Sequence, residues 1–136
     1  MSWLPFKRCV ILFFADSLVL LAVTLLGFAT HNSSLSGGRW LTTFLPLLFA
    51  WLAAAPALGL YSPGIADQNR QAWRAALAAL LAAPLAVLVR GLWLQGMIVP
   101  VFGLVLMAVT AAGMILWRLT WIALAARRKD AWTKPA

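Results

Sequence analysis

The sequence predicts an all-α integral membrane protein: four transmembrane helices in a compact bundle, with both termini cytoplasmic. Three observations predict it. Hydrophobic residues make up 64% of the chain and charged residues only 10%, so a water-soluble fold would lack the polar surface to cover itself. The 136 residues divide at polar, turn-forming clusters into four apolar runs, each close to the roughly 20 residues that carry a helix across a bilayer. Lysine and arginine gather at the ends of these runs, most of them on one side.

The first run covers residues 9–29. It is longer than the apolar core of a signal peptide and contains Asp16, so it is expected to stay as an anchor rather than be cleaved after "GFA". It ends at "THNSSLSGGR", Thr30 to Arg39, a cluster that cannot continue a buried helix. The second run, residues 41–60, stops at "YSPG", where Pro63 and Gly64 form a turn. The third covers 72–94 and the fourth 98–122, followed by a short basic tail, 123–136. Helices are expected throughout, because isolated strands would leave backbone groups unpaired in hydrocarbon. The whole chain reads as one four-helix domain.

"AALAALLAAPLAV" in the third run and "LAAAPALG" in the second are rich in small residues, which let helix backbones approach closely and mark these runs as the packed centre. Pro46, Pro56, Pro84 and Pro100 fit ordinary kinking. An offset of 54 residues aligns Gly37, Pro46, Leu52, Ala54 and Gly59 with Gly91, Pro100, Leu106, Ala108 and Gly113. Five identities are what so biased a composition gives by chance.

Four crossings put both termini on one side. Lys7, Arg8, Arg70, Arg74, Arg127, Arg128, Lys129 and Lys134 fall there, against Arg39 and Arg90 on the other, so the positive-inside rule places the termini in the cytoplasm of an inner-membrane protein. Trp3, Tyr61, Trp73, Trp117, Trp121 and Trp132 near one boundary, and Trp40 and Trp93 near the other, read as an aromatic belt. The net charge of +8 does not suggest nucleic acid, since the cations flank apolar runs instead of lining a solvated face. Anionic lipid head groups are the expected partners, through Arg70, Arg74, Arg127, Arg128 and Lys129. Asp67 is placed to cap the third helix.

Asp16 is the anomaly of the first run. At 100° per residue Cys9 and Gly27 lie within about 20° of it, and this small and polar side is expected to face other helices. An unpaired carboxylate there would cost about 2.5 to 3.5 kcal/mol, so it should find a cation or a proton. Arg118, in "LWRLTW", lies at a similar depth and is the candidate partner; the alternative is that it snorkels to the head groups. At the outer end His31, Arg39 and Arg90 are candidates for an anion contact holding a phosphate or carboxylate. The lone Cys9 reads as a small apolar residue, and "NSS" at Asn32 to Ser34 is a three-residue glycosylation match. No metal or cofactor site and no nucleophile with its base can be assembled, so no enzyme is expected.

An aspartate early in the first run, "GFATH" at its end, "FLPLLFAW" opening the second, a proline before "VLVRG" in the third, a "VPVF" start and a closing "LWRL" together resemble a prokaryotic family of small four-span membrane proteins. It is catalogued as a domain of unknown function, DUF3054. The resemblance covers roughly Cys9 to Leu119. It implies an integral membrane protein without an established activity, and marks Asp16, His31, Pro46, Pro84, Arg90, Trp117 and Arg118 as positions matching the family's recurring ones. Leu47 follows Pro46 where the family tends to have phenylalanine, which leaves that position's role open. Two functions are carried forward. One is a non-enzymatic scaffold or accessory subunit of a larger membrane complex. The other is a small homo-oligomeric transporter or proton-coupled carrier using Asp16 and Arg90.

Overall fold

A computed structural model describes residues 3–31, 35–66 and 68–133, with side chains placed for 6–31, 35–66 and 68–127. All regular structure among them is helical. It comprises α1 (Trp3–Thr30), α2 (Leu41–Ala57), the single turn α3 (Pro63–Ala66), α4 (Trp73–Leu94) and α5 (Pro100–Thr133), with 3-10 turns at Ser36–Gly38 and Asn69–Gln71. Helices α1, α4 and α5 are long and apolar enough to cross a membrane, which marks a multi-pass membrane protein; α2 is apolar but shorter. Its 17 residues cover about 26 Å of a hydrocarbon core about 30 Å thick.

The helix ends differ from the sequence expectation for identifiable reasons. Helix α2 stops before "YSPG", because Gly59 takes φ +70° and the chain closes there. The amide of Leu60 donates to the carbonyl of Ala55 at 3.0 Å and that of Gly59 to Pro56 at 2.9 Å, the paired bonds of a Schellman cap. Pro63 then opens α3 instead of forming the turn that ends α2. Helix α4 ends the same way, Gly96 donating to Gly91 at 3.2 Å and Gln95 to Leu92 at 3.3 Å, with Gln95 in the left-handed region at φ 48°. Helix α5 starts at Pro100, a residue suited to a first turn. It continues to Thr133, since its Ala, Arg and Lys residues are good helix formers and no breaker interrupts them. The apolar run expected to cross the membrane, 98–122, thus supplies the first part of a longer helix. The 54-residue offset pairs Pro46, inside α2, with Pro100, at the start of α5, so it does not relate equivalent positions.

Helix α4 is the centre of the bundle and packs against both α2 and α5. Ala75, Ala78, Ala79, Ala82, Ala83 and Ala86 form its fully buried stripe, and their small side chains bring the neighbouring backbones close. Helix α2 adds Leu47, Ala50, Trp51 and Ala55 to this core. Helix α1 joins the bundle mainly through α5 and also through α2, burying Leu12, Asp16, Leu20, Val23 and Thr24 along one side. The outward faces carry exposed Phe14, Leu18, Leu85, Leu88, Leu104 and Leu116, as a helix bundle solvated by lipid requires.

Candidate functional site: a buried carboxylate held by four donors

Asp16 sits in the interior stripe of α1 with none of its surface exposed, and Arg118, from the buried side of α5, is 2% exposed. Arg118 Nη2 donates to Asp16 Oδ2 at 2.7 Å. Two further donors reach the same oxygen: the Tyr61 hydroxyl at 2.9 Å and Trp51 Nε1 at 3.3 Å. Trp117 Nε1 donates to Oδ1 at 2.9 Å. Trp51 Nε1 also lies 3.1 Å from the Tyr61 hydroxyl, which links the two residues brought in by α2 and the loop after it. One carboxylate therefore ties together α1, α2, the Tyr61 loop and α5.

The chemistry of the partners is one-sided. Indole N–H groups and a guanidinium can donate and cannot accept, so three of the four groups around Asp16 match an acceptor. Burial, and then the neighbouring Asp16 carboxylate, push the Tyr61 phenol above its ordinary pKa; Tyr61, in the loop beyond α2, stays a donor. The Arg118 guanidinium lies 5.7 Å from the centre of the Tyr61 ring, a cation–π distance. Its Nε and Nη1 are buried without a hydrogen-bond partner.

Sequence reasoning named Asp16 and Arg118 and missed the other three partners. In the sequence Tyr61 and Trp117 read as belt anchors, because each lies near the end of an apolar run. Trp51 carried a usable signal: it lies inside the second run, where an indole N–H must find a partner. Of the residues placed near Asp16 on the helical wheel, Cys9 is half-buried, and Gly27 faces open space.

At the opposite end of the bundle His31, Arg39 and Arg90 line one cavity of about 400 Å³ between α1 and α5. Arg90 is held by groups from both neighbouring helices. Its Nε donates to the Thr43 hydroxyl on α2 at 3.1 Å, and its guanidinium lies 5.1 Å from the ring centre of Phe102 on α5. Asp16 does not line this cavity. The glycosylation match at Asn32 to Ser34 lies outside the described residues.

Among the head-group candidates, Arg70 and Arg127 are exposed. Arg74 is engaged by protein groups: Nη1 donates to the Leu58 carbonyl at 3.0 Å and Nε to Gln71 Oε1 at 2.6 Å, with the guanidinium 5.5 Å from the Trp73 ring centre. It thereby satisfies a carbonyl left over at the end of α2. The side chains of Arg128 and Lys129, and the Asp67 cap, lie outside the described residues. Among the described residues no three His, Cys, Asp or Glu side chains gather to hold a metal.

A family model described as "Protein of unknown function (DUF3054)" matches residues 13–121, a stretch that contains all five members of the Asp16 network and His31, Arg39 and Arg90 of the cavity. No curated protein and no solved structure matches the chain.

Proposed function

The chain belongs to the DUF3054 family, whose description assigns no activity, and from that premise we propose that it is a non-enzymatic scaffold or accessory subunit of an inner-membrane complex. The observation that carries this reading is the sealed carboxylate, with no exposed surface and its hydrogen bonds divided among α1, α2, the Tyr61 loop and α5. A proton-carrying acid needs a path to water. Asp16 lies outside the cavity at the other end of the bundle and is surrounded by donors that suit its ionised form. The network reads as a clamp that fixes helix order while the outward faces meet lipid or partner subunits. Both termini lie in the cytoplasm on this reading.

The carrier alternative has its own support in the arginines around the cavity, with Arg90 as the anion contact, but Asp16 is not among the residues that line that cavity. Purification in mild detergent at native expression separates the two. Recovery of a stoichiometric partner is the expected result. A chain recovered alone, whose proton-coupled anion flux in proteoliposomes vanishes in a folded Asp16→Asn variant, overturns the scaffold reading.

A further inference from the structure

The cavity opposite the Asp16 network combines two kinds of surface that the clamp does not use. Its walls are valines and leucine from α1 and α5, among them Val23, Val101, Val105, Leu106 and Val109, while Arg90 and Thr43 stand inside and His31 and Arg39 stand exposed at the rim. Among the described side chains Asp16 is the only carboxylate, and it is held by Arg118 away from these residues. The sequence has three acids: Asp16 is committed to Arg118, Asp67 falls in the connection between α3 and α4, and Asp130 lies near the far end of α5. Arg39 and Arg90 line the same cavity, so their like charges repel, a cost that an anion between them removes. Arg90 Nε is held by Thr43, which orients the guanidinium and leaves its Nη edge for an acceptor.

We propose that this cavity binds an acidic amphiphile, one carboxylate or phosphate head group at His31, Arg39 and Arg90 with an acyl chain along the valine walls. A small hydrophilic anion would leave those walls uncovered, and a neutral chain would leave the cations unpaired. The volume of about 400 Å³ is in the range of small-ligand sites, about 300 to 1,000 Å³. Charge-assisted bonds from arginine supply the selectivity for an acid, and burial of the chain supplies the rest of the affinity.

The test uses the full chain purified in non-ionic detergent, with oleate, oleyl alcohol and inorganic phosphate as probes, read by equilibrium dialysis. Oleate is expected to bind about tenfold more tightly than the alcohol, and inorganic phosphate not to compete. Arg90→Gln is expected to remove the preference for the acid, bringing oleate and oleyl alcohol to similar affinity. Gly27→Phe is expected to weaken both, since a side chain there enters the cavity from a position with nothing within 4 Å. Gly27 is remote from Asp16 along α1, and a monodisperse elution profile checks the fold of each variant. Competition with phosphatidylglycerol but not phosphatidylcholine assigns the occupant to a bilayer lipid; competition with neither assigns it to a free acid. Both outcomes keep the chemistry. Equal binding of acid and alcohol, phosphate competing alone, or wild-type binding by both variants overturns it.

Discussion

A carboxylate inside a helical bundle is stable only if the groups around it replace the water it has lost. Asp16 has four such groups, and they are not interchangeable. Asp16→Asn removes the charge that neutralises Arg118, leaving a buried guanidinium unpaired, at a cost of about 3 to 5 kcal/mol. Adding Arg118→Met removes that unpaired charge, so the double variant should be more stable than Asp16→Asn alone, with a coupling of about 1 to 3 kcal/mol in a double-mutant cycle on detergent unfolding. Strict additivity would mean that the 2.7 Å pair contributes nothing. Exchanging the two residues should not rescue stability, because Trp51, Tyr61 and Trp117 would then aim their donors at a guanidinium. Tyr61 gives a second readout as the only tyrosine of the chain. Its pKa is raised in the fold, by burial first and Asp16 second, so its contribution is fully present below the unfolded value near 10 and is lost as pH rises through the higher folded value. Ultraviolet titration should show no tyrosinate until well above pH ~10 in the folded protein, and ordinary titration once it is unfolded. The sequence revealed Asp16 and Arg118 because each is a lone charge in an apolar run. It concealed Trp117 and Tyr61 because an aromatic near a run's end has two readings, and only the fold decides between belt and donor.

The helices themselves were largely legible, since apolar length and turn clusters are direct consequences of the bilayer. Their ends were less so. Whether Gly59 or Pro63 closes α2 depends on backbone hydrogen bonds that composition does not encode, and the continuation of α5 through a basic tail follows from propensity more than hydropathy. Close packing of α1 on α5 rests on another feature invisible to periodicity. A Cβ at Gly113 would stand 3.2 Å from Val23 Cγ2, tighter than ordinary contact, and 3.7 Å from Val19 Cγ1. Gly113→Leu should therefore force α1 away from α5 and lower stability by about 1 to 3 kcal/mol. Gly103→Ala, on the same helix, meets Val87 only at 3.6 Å and should be neutral or stabilising by up to about 1 kcal/mol through helix propensity. Thermal unfolding in detergent compares the two. Equal midpoints for Gly113→Leu and the parent would show that α1 and α5 do not depend on this approach.

At the scale of the molecule the two ends of the bundle are chemically different, and that difference bears on how the chain is threaded. One end carries Lys7, Arg8, Arg70, Arg74 and Arg127 close to the Tyr61 loop and the two long terminal helices, while the other carries His31, Arg39 and Arg90 around a cavity. Anionic cytoplasmic lipid and the insertion machinery favour the more basic end inside. With the basic end inside, as proposed, the cavity would open toward the outer leaflet. The single cysteine makes this testable, because Cys9→Ser gives a cysteine-free background. Into it Leu35→Cys and Ala126→Cys place one thiol at each end, both at exposed positions. A membrane-impermeant maleimide applied to intact cells should label Leu35→Cys directly and Ala126→Cys only after permeabilisation. The reverse pattern would turn the bundle over and place the cationic cavity against the cytoplasmic leaflet. Labelling of both thiols from one side would be incompatible with an even number of crossings, and would show that α2, the helix shorter than the hydrocarbon core, does not traverse it.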